Sequence, residues 1–308
     1  MRFPCTYGVN PGGAYLATEA LLISDAKFKI NRDNVPRKVL RSYFGGSEEL
    51  VATRRADIEF DVELAGSGAA GTAPAWGKLL RACGMAETIT ALNRVEYTPV
   101  TTAFESISLR YYLDGIYYYA RGCRGNVQVK MPAYDIPKLH FSFMGFDTVA
   151  TEIAMPTTDF TAWKPPLVVS DVNAGDIRLG GTYAAGVVSG GTVLQSRGLE
   201  FDLGNKVSHL KILGGESIDI SAREATGKAN VFLTAADEVI WRNDMNANVL
   251  TTVGFNFGTV AGARIGVFSP AVQRVAPDVQ DYEGRALFSA ELRALPLLGN
   301  DELRIVAR

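Results

Sequence analysis

Ala56-Asp57-Ile58-Glu59-Phe60-Asp61-Val62-Glu63-Leu64 alternates apolar residues with carboxylates at every step. Successive side chains of a β-strand point to opposite faces. Ala56, Ile58, Phe60, Val62 and Leu64 therefore line a packed face, and Asp57, Glu59, Asp61 and Glu63 a wet one. The same two-residue period recurs further along. In Leu109-Arg110-Tyr111-Tyr112-Leu113-Asp114-Gly115-Ile116-Tyr117-Tyr118-Tyr119, the Asp-Gly step between aromatic runs predicts a type I′ hairpin. Leu139, Phe141 and Phe143 alternate with His140 and Ser142. Helical spacing is rare: it is clearest at Trp76, Leu79, Leu80 and Cys83, which share one helix face between a start near Thr72 and Pro74 and a stop at Gly84. The chain is predicted to be mostly β, with a flanking helix whose packing residues are those four.

Composition narrows the function classes. The chain's 308 residues suffice for one large β domain or two of ordinary size. A formal net charge of -2 argues against tight nucleic-acid binding, which relies on Lys and Arg neutralising phosphates. The start Met1-Arg2-Phe3-Pro4-Cys5 lacks the apolar core of a secretory signal, and Leu16 to Ile23 is short and broken by Glu19, so synthesis in the cytoplasm and no membrane partner are expected. Cys5, Cys83 and Cys123 are widely spaced and odd in number, with only His140 and His209 beside them. Neither a zinc site nor a disulfide framework is expected.

From Pro156 to Gly191 the composition shifts to Pro-Pro and Gly-Gly pairs among small residues, the mark of a linker or long loop. Beyond it the first half's pattern returns. Ala26 to Ile30 corresponds to Leu199 to Leu203, and the stretch opening with Gly45-Gly46 lies without a gap on that opening with Gly214-Gly215. Arg54 then meets Arg223, Ala56 meets Ala225, Val62 meets Val231 and Leu64 meets Leu233. Tyr134 and Phe141-Ser142 echo Tyr282 and Phe288-Ser289. A diverged tandem duplication is inferred: one β module over 1–155, a Gly/Pro-rich linker over 156–194 and a second module over 195–308.

Enzymatic signals fail on context. Gly66-Ser67-Gly68-Ala69-Ala70-Gly71 matches GxGxxG, but a dinucleotide-binding strand is apolar on both faces, whereas the strand before it alternates and no βαβ series follows. A phosphate loop is ruled out by spacing and by Leu79 where a hydroxyl belongs. His140 sits mid-strand and His209 in a polar run, so neither is placed as a catalytic base. Four carboxylates on one face of one strand do not form a glycosidase pair. No catalytic residue, metal or cofactor is assigned.

The acidic alternating strand, the small-residue loop, the helix Trp76 to Cys83 and the closing β region Ser106 to Gly145 together resemble the major tail tube proteins of long-tailed bacteriophages, most nearly the non-contractile siphovirus type. The resemblance implies a β-sandwich or barrel flanked by a helix, a virion location and rings of self-associated subunits stacked into a hollow tube that conducts DNA. It also implies a tape measure protein, a tail terminator and distal tail proteins as partners. With two tube modules per chain, three chains would close a ring; if the second half is a decoration domain, six would. Asp57, Glu59, Asp61 and Glu63 are then candidates for the lumen surface, where carboxylates discourage transient, non-specific DNA from adhering. The arm Met1 to Gly13, the segment Asn31 to Phe44 and the loop Gly66 to Pro74 are candidates for stacking. A competing expectation is a virion β-sandwich that binds carbohydrate or receptor, or decorates the particle, through Tyr111, Tyr112, Tyr117, Tyr118 and Tyr119.

Overall fold

The structure, a computed structural model, describes residues 16–173 and 175–308; the arm Met1 to Gly13 lies outside them. Alternation at Ala56 to Leu64 produces the expected strand, which starts earlier. β1 (Ser24–Pro36) pairs antiparallel with β2 (Glu49–Glu63), whose buried face carries Ile58, Phe60 and Val62. The flanking helix follows as α1 (Gly77–Ala82), then β3 (Met85–Thr90) and β4 (Arg94–Pro99). β5 (Ile107–Leu113) and β6 (Ile116–Pro132) form the expected hairpin, with Asp114 at φ 47° and Gly115 at φ 78°, the two positive values that a type I′ turn requires. β7 (Lys138–Asp147) carries the Leu139-Phe141-Phe143 face inward, and the short β8 (Thr151–Glu152) pairs with β6.

The stretch 156–194, expected as a linker, is partly sheet. β9 (Asp176–Leu179) pairs on both sides, with a strand at 192–194 and another at 253–256, and β10 (Thr182–Ala184) and β11 (Val187–Ser189) form a small hairpin. The remaining strands are β12 (Thr192–Asp202), β13 (Asn205–Ile212), β14 (Gly215–Arg223) and β15 (Thr226–Phe232) before α2 (Ala235–Asn246), then β16 (Leu250–Phe257), β17 (Ile265–Tyr282), β18 (Arg285–Ala294) and β19 (Arg304–Ala307). The spacing of apolar residues predicts no helix at α2. Thr234 accepts the Asp237 amide at 3.2 Å, an N-cap visible in Thr234-Ala-Ala-Asp237.

Among the described residues, fifteen strands form one sheet, and its path runs β1-β2-β7-β6-β12-β15-β18-β17 before continuing through β19, β4 and β3. The order β1-β2-β7-β6 is repeated as β12-β15-β18-β17, each unit with a helix after its second strand and a hairpin partner, β5 or β16, on its last. Pairing matches the units residue by residue: Lys27 opposite Glu59 opposite Ser142, and Glu200 opposite Lys228 opposite Glu291. Ser142 therefore corresponds to Glu291, two residues beyond the Ser289 echo expected from sequence. A shift of two residues keeps the strand face, so the apolar pattern alone does not fix it.

One apolar cluster draws on both units, with Phe60, Phe141 and Phe201 fully or nearly buried beside Phe255 and Phe288. Trp76, Leu79, Leu80 and Cys83 all lie in it, and burial raises the Cys83 thiol well above its ordinary pKa. Trp76 Nε1 donates to the Ala65 carbonyl at 2.7 Å, and its ring packs 5.3 Å from Tyr97. Trp76→Phe removes that hydrogen bond and part of the ring. A loss of about 1–3 kcal/mol is expected, read as a lowered urea midpoint of the unassembled chain with an unchanged slope.

Candidate functional site

Core packing takes one face of the eight-strand path, and the other carries polar side chains in rows that pairing aligns across both units. One row runs Glu63, Lys138, Lys130, Glu200, Lys228, Glu291. The next runs Asp61, His140, Gln128, Asp202, Thr226, Arg293. Asp57, Glu59, Asp61 and Glu63 stand on this face, yet not as a bare acidic strip. Lys27 Nζ lies 3.6 Å from Glu59, Lys138 Nζ 3.7 Å from Asp61 and His140 Nδ1 2.6 Å from Asp61, while Asn31 donates to Asp57. Acids and bases interleave because neighbouring strands bring lysines opposite the carboxylates, and opposite charges across strands stabilise the sheet. In the second unit Asp202 accepts from Asn126 Nδ2 at 2.6 Å and Gln128 Nε2 at 2.7 Å, tying β12 to β6.

The two ends of the path differ from its middle. β6 is covered beyond its hairpin partner by β12, with Gln128, Val129 and Lys130 opposite Asp202, Phe201 and Glu200. Among the described residues, the corresponding stretch of β17, residues 278–282, pairs with β18 on one side only, and β1 pairs only with β2. Both are open edges, with backbone donors and acceptors free to template another strand.

A ribbon projects from each unit. β13 and β14 form one, seated on the first unit where Arg124 Nη1 reaches Asp219 Oδ1 at 2.5 Å and the Ile218 carbonyl at 2.9 Å. The ends of β1 and β2 form the other, over 31–36 and 49–55, and it exposes Val35, Leu50 and Val51, with Leu40 and Phe44 fully exposed in its loop. Part of the stacking candidate Asn31 to Phe44 is thus a paired ribbon.

The tyrosines expected as a binding surface are instead packed on one another. Phe28 stacks on Tyr111 at 5.8 Å, Tyr112 lies 5.3 Å from Tyr117, and Arg110 caps Tyr117 and Tyr119. Burial pushes the Tyr117 phenol up to about 12. The glycine-rich loop is explained by close backbone approach. A Cβ on Gly66 would lie 2.0 Å from the Gly262 carbonyl oxygen, and Gly68 N donates to that oxygen at 2.9 Å. Among the described residues no helix is long and apolar enough to cross a membrane.

Sequence reasoning placed the four carboxylates and missed their basic partners, the open edges and the ribbons, all of which depend on which distant strands become neighbours. A family model described as "Phage tail tube protein" matches residues 4–295. No curated protein matches.

Proposed function

The chain belongs to the phage tail tube protein family, and from that premise we propose that copies join edge to edge into rings, which stack into a hollow tail tube that passes DNA from capsid to cell. One observation carries the proposal: a four-strand unit used twice, with β6·β12 as a junction already made and β1 and β17 as two further edges left open among the described residues. A contact between unlike surfaces that repeats by rotation closes a ring, and pairing the edges removes the liability of exposed strands.

With both halves acting as tube modules, three chains close the ring. Eight wall strands per chain then make a barrel roughly 50 Å across at the backbone, from a ~4.8 Å strand spacing and a ~40° tilt. That leaves room for one duplex, whereas six chains would double the diameter. The polar face lines this lumen. Its interleaved charges offer phosphates no continuous basic track, and each carboxylate repels them within a Debye length of about 8–10 Å. Stacking falls to the projecting apolar tips, Leu40 and Phe44 in one ribbon and Ile212 and Leu213 in the other, all exposed. The tube is of the non-contractile siphovirus type, made in the host cytoplasm, and meets a tape measure protein, a tail terminator and distal tail proteins.

Electron microscopy of the purified protein tests this reading. Stacked rings with a central hole are expected, and dispersed monomers at high concentration would contradict it. Glu63→Lys combined with Glu200→Lys turns the first polar row almost wholly basic. Tubes of that variant are expected to retain short duplex DNA at low salt and release it as salt rises, while wild-type tubes retain little. Equal retention by both would remove this face from the lumen.

A further inference from the structure

Resting on that assembly reading, we propose a residue-level register for the junction between copies: Lys29, Phe28 and Lys27 of one β1 lie opposite Asp278, Val279 and Gln280 of β17 in the next copy. The two units supply the correspondence. Lys27, Phe28 and Lys29 occupy in β1 the places of Glu200, Phe201 and Asp202 in β12, since their partners Glu59, Ile58 and Asp57 correspond to Lys228, Gly227 and Thr226. His140 and Ser289 hold equivalent places in β7 and β18, which makes Gln128 equivalent to Asp278 and Val129 to Val279 across the irregularity at Val275/Pro277. Within the chain, Asp202, Phe201 and Glu200 face Gln128, Val129 and Lys130. The open edges inherit that alignment.

The side chains fit it independently. On the polar face, the built junction sets an acid on β12 against an amide on β6; the open one sets Lys29 against Asp278, with the acid now on the opposite strand. An Asp278 edge that met a β12-type edge would face Asp202, acid against acid, so the charges favour β17 joining β1 alone. On the core face, Phe201 and Val129 bury each other's edge, whereas Val279 is 48% exposed and Phe28 is half-buried.

The ribbons extend the junction. Both carry an unpaired residue at the same place, Ala52 in one and Ser221 in the other. Ile220, seated on the first unit, is 8% exposed; its counterpart Val51 is 52% exposed. The Arg124–Asp219 ion pair beneath the seated ribbon corresponds to Gln273 and Leu50, charge being absent from both sides at once. Val249 and Leu250, exposed beside Gln273, give the free ribbon an apolar seat on the second half of the next copy.

The test introduces one exposed cysteine per chain in a Cys5→Ser background, where the native Cys83 and Cys123 stay buried. Lys29→Cys and Asp278→Cys proteins are mixed, assembled and oxidised, with Lys29→Cys plus Gln280→Cys as the control two residues out of register. Directly opposed Cα atoms fall within disulfide reach and diagonal ones beyond it. At least tenfold faster cross-linking is therefore expected for the first pair, and Asp278→Lys is expected to weaken assembly at low salt in a way that Lys29→Asp restores. Tubes that form but cross-link equally or faster in the control overturn the register and leave the assembly reading standing. Absence of tubes from the unmutated protein overturns both.

Discussion

Val279→Asp is expected to leave the chain folded and unassembled. Val279 lies on the core-facing side of β17, opposite Phe288, but is half exposed in the single chain, so a carboxylate there costs little in the monomer, within about 0.5 kcal/mol. In the proposed junction it would be enclosed against Phe28 without a partner, and burying an unpaired carboxylate costs several kcal/mol. Each 1.4 kcal/mol is a factor of about ten in association. The concentration needed for assembly should therefore rise by two orders of magnitude or more, as light scattering would show, with circular dichroism melting unchanged. Val279→Ile should assemble as the parent does. Tubes formed by the Asp variant at parental concentrations would remove β17 from the interface.

The largest effect on stability is expected at Glu302. Its side chain is buried with that of Arg223, which it binds while Arg223 also donates to the Val100 carbonyl at 2.7 Å and to Asn300 Oδ1 at 3.0 Å. These bonds fasten the base of the β13–β14 ribbon to the loop before β19 and to the end of β4. Glu302→Gln keeps the volume and removes the counter-charge, leaving a guanidinium enclosed. Breaking a buried pair in this way costs about 3–5 kcal/mol, a large part of the roughly 5–15 kcal/mol that holds a domain folded. At about 2–4 °C per kcal/mol for a chain of this class, Tm should fall by roughly 6–20 °C. Replacing both partners with apolar residues, Arg223→Met and Glu302→Leu, should recover much of the loss. A Glu302→Gln melt within about 2 °C of the parent would show the charge to be solvated.

Local chemistry was legible in the sequence and long-range adjacency was not. The alternation at Asp57 to Leu64 gave its strand and the faces of its residues, and Asp114-Gly115 gave a turn whose dihedral angles need no tertiary help. The Gly45-Gly46 and Gly214-Gly215 alignment marked equivalent ribbons down to a shared irregularity. The charge of the polar face was not legible, because Asp61 is moderated by His140 and Lys138, about eighty residues away, and only the β2·β7 pairing brings them together. α2 escaped notice because Trp241 is its one buried side chain while Val239 and Ile240 face outward, so no apolar stripe announces it. β9 hid among glycines: Asp176-Ile177-Arg178-Leu179 is too short to show a period, and it becomes a strand because β12 and β16 flank it.

Amide hydrogen exchange, compared between unassembled chains and tubes, tests most directly whether the two open edges join the copies. Within residues 27–29 of β1 and 278–280 of β17, the amides that point away from β2 and β18 should exchange freely in the single chain and slow by at least a hundredfold in tubes, while their inward neighbours and the β6·β12 junction stay protected in both states. Tubes in which those two edges exchange as fast as in the free chain would contradict the edge-to-edge ring.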